Sequence, residues 1–312
     1  MNNLVVSISP HIRDRADTAL IMRDVLIALS PVVIASVVIF GARALLVEAV
    51  CVASCVFFEW GFEKICKRQS TIGDLSAAVT GLILSFNLNV GIPLWQAIFG
   101  SFIAIVLVKQ LFGGIGKNFA NPAITARVVM LLAFSGTMTT WNTPTILHPS
   151  ADAVTGATPL TMIAKGNLDQ LPSVTDMFLG LTGGCLGETC ALALIIGGIY
   201  LLVRKVITWH TPVAFIGTVF VLTFIFRQDP LVQILSGGVF LGAIFMATDY
   251  ATTPSTNKGR IVFGIGCGLI TVLIRLWGNY PEGVSFSILL MNILTPFIIK
   301  WTRNKPLGGV QS

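Results

Sequence analysis

Charged residues are scarce in this 312-residue chain, making up 11% of it. A soluble globular domain carries about 25%, because most of its surface must face water, and that class is excluded. The cysteines are few and poorly spaced for chemistry. Cys51, Cys55, Cys66, Cys185, Cys190 and Cys267 contain no CxxC pair and no histidine-rich neighbourhood. Neither a zinc site nor a disulfide framework is indicated, and the expected role is that of small buried hydrophobes. No secretory leader is expected. Residues 1–24 are polar, carry Arg13, Arg15 and Arg23, and lack an apolar core before a cleavage site. No nucleophile–base arrangement, metal-ligand cluster, P-loop or nucleotide-binding strand pattern is apparent, so catalysis by the chain alone is not expected.

What the sequence has is apolar length. Apolar residues reach 54% and the mean hydropathy is +0.84. About 20 residues of helix cross a bilayer core. Ten candidate spans follow, at roughly 24–41, 44–63, 74–89, 94–112, 122–137, 182–203, 209–226, 231–248, 260–278 and 284–301. The third, fifth and eighth are short or broken by Gly and Pro. Broken helices survive in a membrane only where protein or a cavity satisfies the freed backbone. The net charge of +6 does not point to nucleic acid, since the basic residues lie in the short gaps between apolar runs. With the N-terminus cytoplasmic, 16 of the 20 Lys and Arg fall on the cytoplasmic side, Lys109 and Arg127 among them. That distribution puts both termini in the cytoplasm.

The expected architecture is therefore an all-α polytopic membrane protein of about ten transmembrane helices. Its segments are a cytoplasmic N-terminal piece (1–23), a first five-helix half (24–137), an extracytoplasmic loop (138–181), a second five-helix half (182–301) and a cytoplasmic tail (302–312). An odd number of spans per half forces opposite orientations, so any repeat is inverted, as in many transporters.

Three motifs stand out. The long loop carries Asp152-Ala153-Val154-Thr155-Gly156-Ala157-Thr158-Pro159, a small flexible Gly-Ala step that presents a hydroxyl, or else a plain polar loop. The second is Gly113-Gly114-Ile115-Gly116-Lys117-Asn118-Phe119-Ala120-Asn121-Pro122-Ala123. Structurally it reads as a turn followed by a helix with Asn121 as N-cap and Pro122 in the first turn. Functionally, Asn118 and Asn121 share a face if that stretch is helical, and each amide offers both a donor and an acceptor. The third is Met246-Ala247-Thr248-Asp249-Tyr250-Ala251-Thr252-Thr253-Pro254, in which Asp249 is a helix-end carboxylate, a pocket wall or a cation ligand. Glu48 and Glu188 are carboxylates in apolar surroundings and are candidates for an ion path. Glu59 and Glu63 are expected simply to reach the cytoplasmic interface.

These motifs, in this order and over nearly the whole chain, resemble one family of membrane proteins. It comprises the D subunit of the Rnf ferredoxin:NAD oxidoreductase and the B subunit of the sodium-pumping NADH:quinone reductase. The shared segments are the T-G-A-T loop, GGxGxNxxNPA, the Gly187-Glu188-Thr189 step and MATDxxTTP. The resemblance implies FMN joined by a flavin transferase through a phosphoester to the last hydroxyl of the loop motif. By position that is Thr158, with Asp152, Thr155, Gly156 and Ala157 around it. It also implies a non-covalent riboflavin near Asn118, Asn121, Pro122 and Asp249. On this reading the protein relays electrons in a bacterial or archaeal cytoplasmic membrane. Its partners are the A, B, C, E and G subunits of Rnf, and electron flow is coupled to export of Na⁺ or H⁺. The roughly 23 residues before the first span favour the Rnf D subunit over its quinone-reductase counterpart, which carries a longer extension. A flavin-free channel or carrier for small solutes is the alternative of another class, since such proteins also use broken helices in inverted halves.

Overall fold

The structure, a computed structural model, describes residues 17–144, 156–167, 169, 171–278 and 282–303. Asp152 and Thr155 lie outside the described residues. The described secondary structure is helical, with no strand. Among the described residues, four helices are long and apolar enough to cross a membrane: α1 (Thr18–Phe40), α2 (Ala42–Ile65), α13 (Asn257–Trp277) and α14 (Val284–Thr302). Shorter apolar helices fill the space between them. These are α3 (Ser76–Phe86), α4 (Leu94–Phe102, continuing as a π-helical stretch to Gln110), α5 (Pro122–Ala133), α9 (Ala191–Val203) and α10 (His210–Ile225). The small helices α6 (Ser135–Met138), α7 (Pro159–Ala164), α8 (Val174–Leu179), α11 (Pro230–Leu235) and α12 (Val239–Leu241, continuing as a π turn to Met246), with a 3-10 turn at Ile72–Asp74, complete the described set.

The polarity is inside-out relative to a soluble bundle. The buried stripe of α2 is Ala44, Val47, Glu48, Cys51, Cys55, Glu59 and Glu63, at helical spacing, while Leu45, Leu46, Phe57 and Trp60 are exposed. A helix that hides carboxylates and exposes leucine and tryptophan is solvated by lipid. We call the end where α1 begins the base and the end where it finishes the crown. Exposed tryptophans ring both ends, Trp60, Trp209 and Trp301 at the base and Trp95 and Trp277 at the crown, as interfacial aromatic belts do. Close helix packing uses small residues. A β-carbon on Gly264 would stand 2.8 Å from the Thr211 carbonyl oxygen, and one on Gly268 would stand 2.9 Å from that of Phe215. Only glycine at this four-residue spacing lets α13 meet α10 so closely.

Several expected boundaries move. Helix α1 starts at Thr18 rather than near residue 24, capped by the Asp17 side chain, which accepts from Thr18 N–H (2.7 Å), and Asp24 within it is buried, accepting from Arg204 (3.0 Å) and Tyr200 (3.2 Å). The sixth span is helical only from Ala191, and residues 182–190 are irregular. The third, fifth and eighth are short or interrupted, as their Gly and Pro content predicts. The long loop carries the helices α7 and α8. Glu59 and Glu63 sit near the base end of α2 but do not reach out to solvent. Both are buried on the inward stripe of α2, Glu59 against Lys109 (2.6 Å) and Glu63 against the Thr71 hydroxyl (2.5 Å). Lys109 and Arg127, assigned from the sequence to the cytoplasmic surface, are buried too.

Candidate functional site

Two polar constellations lie at opposite ends. The base cavity, of about 110 Å³, is walled by both the GGxGxNxxNPA and the MATDxxTTP segments, which the chain separates by more than a hundred residues. Each segment begins at or just beyond the end of a π-helical stretch, Ile103–Gln110 and Gly242–Met246. In the first, Leu111 N–H donates to the Val106 carbonyl (3.0 Å), and in the second, Ala247 N–H donates to that of Gly242 (2.7 Å). The extra residue per turn ends each helix early and delivers its chain into the cavity, a recurrent device at functional sites. It also turns the neighbouring Lys109 and Gln110 inward together. Both are buried, and both donate to Glu59 Oε1, at 2.6 and 2.8 Å, while Lys109 Nζ also donates to Ser76 Oγ at 2.6 Å.

Asn118, Asn121, Pro122 and Asp249 all line this cavity. Residues 118–121 form a bend, not a helical turn, so the two asparagines meet through the fold of the Gly-rich turn and not through helical spacing. Their roles differ. Asn121 is the N-cap of α5: its Oδ1 accepts from Ala123 N–H (3.0 Å) and Ile124 N–H (3.3 Å), and its Nδ2 donates to the Met246 carbonyl (3.5 Å). Asn118 Oδ1 is buried without a partner. The side-chain oxygens of Asp249 accept from Ala251 N–H (3.4 Å) and the Thr252 hydroxyl (3.1 Å). Burial raises the Asp249 carboxyl above its ordinary value, against the lowering effect of those two bonds. Asn292 of α14 clasps both motifs, its amide turned to accept from Asn121 N–H (3.1 Å) and donate to the Thr252 carbonyl (3.3 Å). Sequence reasoning missed Asn292 and Lys109, although a polar residue inside an apolar span was a usable signal.

At the crown, Thr158 is buried and starts α7. Its Oγ1 accepts from Thr161 N–H at 3.2 Å, and Pro159 follows at the first helical position. Gly156 N–H is held by the Trp141 carbonyl (2.9 Å), while Ala157 is exposed. The hydroxyl is therefore a helix cap in this conformation and not a freely presented group, a consequence of the Thr-Pro step. Thr158 borders a second, small cavity with Glu188, Thr189 and Glu282. Arg127 binds Glu282, Asn87 Oδ1 and Cys185 Sγ there. Arg275 donates to the carbonyls of Gln233 (2.5 Å) and Ser236 (2.9 Å). Cys185 thus departs from the role of plain apolar filler. Glu48 stands elsewhere, between α1 and α2, where its Oε1 accepts from the Ser36 hydroxyl at 2.5 Å. The structure does not bring Glu48 and Glu188 together.

Inside-out helices, aromatic belts and two buried polar constellations define a multi-pass membrane protein whose broken helices build internal sites. A sequence model of the NQR2, RnfD, RnfE family matches residues 5–308. The chain is 48% identical over 308 residues to the D subunit of the Na(+)-translocating ferredoxin:NAD(+) oxidoreductase complex of Acetobacterium woodii, covering 98% of this chain and 96% of that one. It is 41% identical over 322 residues to the D subunit of the proton-translocating ferredoxin:NAD(+) oxidoreductase complex of Clostridium ljungdahlii, covering 98% and 97%. It is 37% identical over 344 residues to the D subunit of the ion-translocating oxidoreductase complex of Halorhodospira halophila, covering 99% and 96%. The chain belongs to the NQR2, RnfD, RnfE family.

Proposed function

We propose that this chain is the flavin-carrying electron-transfer D subunit of an Rnf-type ferredoxin:NAD oxidoreductase, coupling electron flow to Na⁺ or H⁺ export. One observation carries the reading. Two motifs from opposite halves of the chain close on a single cavity that holds a buried, unpartnered amide oxygen at Asn118. That acceptor, in a cavity that Lys109 also lines, suits the alternating donor–acceptor edge of a riboflavin isoalloxazine ring. At about 110 Å³ the cavity is below the roughly 300–1,000 Å³ of small-molecule sites, so it matches the polar edge of the ring and not the whole flavin. Asn121 and Asp249 act here as positioning residues, holding the turn and the second motif in place. When bound, a flavin supplies one- and two-electron redox chemistry, and the protein supplies position and electrostatics.

In the same reading FMN is joined to Thr158 by a flavin transferase. The transferase meets the 152–158 segment before α7 docks, because the docked hydroxyl is buried and engaged as a cap. The proposal includes ten passes in two inverted five-helix halves, with both termini cytoplasmic in a bacterial or archaeal inner membrane. Its support is the way successive segments alternate ends. Helix α1 leaves the base at Asp24, beside Arg204, and α2 returns from Arg43, beside Val90, to Glu59 and Glu63, beside Thr71. In the second half α13 starts beside Thr211 and ends with Arg275 beside Gln233. The A, B, C, E and G subunits of Rnf are the proposed partners, on the strength of the relatives' names as members of a complex. The test is acid-releasable flavin from the purified Asn118→Leu protein. A lost buried hydrogen bond costs about 1–3 kcal/mol, which is roughly 5- to 150-fold in affinity. Full stoichiometry in that variant would move the pocket elsewhere, and no releasable flavin from the unmutated protein would end the riboflavin reading.

A further inference from the structure

We propose that the polar pocket at the base, where α9 ends and α10 and α13 begin, binds the phosphate headgroup of an anionic phospholipid through Lys205 and Arg260. This does not rest on the flavin reading, because neither residue lines the base cavity.

The pocket is about 240 Å³, and Lys205, Thr208, Thr211, Ser255 and Arg260 line it with no aspartate or glutamate among its walls. Arg260 is half-buried, and it is held in place by neutral acceptors. Its Nε donates to the Pro254 carbonyl (3.2 Å) and its Nη1 to the Thr208 hydroxyl (3.1 Å). The same bond ties the 205–208 segment to α13, and the Tyr250 hydroxyl ties it to the end of the MATDxxTTP segment by donating to the Val206 carbonyl. Neither Arg260 nor Lys205 forms an ion pair among the described residues, whereas Arg204, the neighbour of Lys205, is neutralised by Asp24 (3.0 Å). A half-buried charge without a counter-charge is costly, and two of one sign at one concave pocket call for an anion from outside the chain. The guanidinium fork matches phosphate oxygens in geometry.

Position and size select a lipid over a soluble phosphate compound. Trp209, one residue beyond Thr208, belongs to the exposed tryptophan belt of the base, and such belts mark the level of the headgroups. The pocket is smaller than the roughly 300–1,000 Å³ that encloses a whole small molecule, so it takes a headgroup and leaves the rest of its ligand outside. Leu202 and Val203 at the end of α9 and Val213 in the first turn of α10 are exposed apolar side chains beside it, a surface for acyl chains. Basic pockets between transmembrane helices at headgroup level recognise anionic lipids in this way. Helix α10 has no side-chain cap, so its first N–H groups add partial positive charge on the same side. A zwitterionic headgroup carries its own cation next to the phosphate and gains less from two uncompensated basic groups, which makes the occupant an anionic one.

The test is thermal unfolding of the full chain in its complex, in detergent, with added dioleoylphosphatidylglycerol, dioleoylphosphatidylcholine or inorganic phosphate. A ligand of the folded state raises the unfolding midpoint by mass action. The expected rise with phosphatidylglycerol is about 2–4 °C at saturation, with a smaller rise from phosphatidylcholine and none from inorganic phosphate at equal ionic strength. Lys205→Gln and Arg260→Gln should each reduce the phosphatidylglycerol rise to the phosphatidylcholine level. Lys205 is exposed, so its variant keeps the test open if Arg260→Gln, which loses two internal bonds, fails to fold. Lys300→Gln, at an exposed lysine near the base end of α14, should retain the full difference between the lipids. If inorganic phosphate gives the same rise and Lys205→Gln removes it, the site takes a soluble phosphate and the lipid assignment is overturned. If the two lipids stabilise equally, or Lys205→Gln retains their difference, the inference falls. Acid-releasable flavin measured in the same Lys205→Gln protein separates the two sites. Full flavin with the lipid difference gone supports the proposal, and lost flavin with the lipid difference intact would make the pocket an extension of the cofactor site.

Discussion

At the scale of single residues, this protein assigns its polar side chains more than one task. Asn121 was readable in advance as a helix cap because it precedes Pro122, and it is one. What could not be read was that Asn118, three positions earlier, keeps its acceptor free. That depends on the path of the glycine-rich turn and on what packs above it. Thr158 combines two tasks in a similar way, as the cap of α7 and as the proposed acceptor of FMN. Thr158→Ala should remove the fluorescent flavin band that survives SDS in protein co-expressed with the transferase. Loss of the cap should cost about 1 kcal/mol of local stability as well. Thr158→Ser retains both the hydroxyl and the cap, so it should keep the band, and Thr155→Ala should keep at least part of it. Undiminished fluorescence in Thr158→Ala would assign the attachment to another residue.

At the scale of elements, the two π-helical stretches shape the base cavity, and neither leaves a readable mark in the sequence. The first brings Lys109 and Gln110 onto Glu59, an ion pair sealed from solvent on both sides. Removing one member of a buried pair strands the other charge and costs about 3–5 kcal/mol, whereas replacing both with apolar residues is often neutral. Lys109→Met and Glu59→Leu should therefore each lower the unfolding midpoint sharply. The double variant Glu59→Leu/Lys109→Met should recover most of the loss, as measured by thermal unfolding in detergent. Equal, additive losses would show that the pair has no coupling. The error over Lys109 and Arg127 has a physical origin. Counting basic residues treats each as a solvent-exposed topology signal, and a buried ion pair has the same letters as an exposed one.

At the scale of the whole molecule, both motifs from opposite halves of the chain sit at the base, while Thr158 and the Arg–Glu cluster sit at the crown. With the base cytoplasmic, a reporter fused at residue 160 should be active only outside the cytoplasm and one at the C-terminus only inside. Phosphatase activity from the C-terminal fusion would invert the orientation. Composition showed that most of the surface does not face water, since 11% charge cannot cover a water-facing surface, and the length of the apolar runs pointed to membrane-crossing helices. Gly and Pro content foretold that the third, fifth and eighth spans are short or interrupted, yet Pro31 and Pro296 sit inside the unbroken α1 and α14, because neighbouring helices can satisfy a freed backbone group. Only the tertiary structure decided which polar groups meet. Glu188 and Glu282 are separated by nearly a hundred residues, and Asn118 and Asp249 by more than that. Their pairing depends on helix ends meeting across the bundle, a long-range packing outcome that no local pattern of residues encodes.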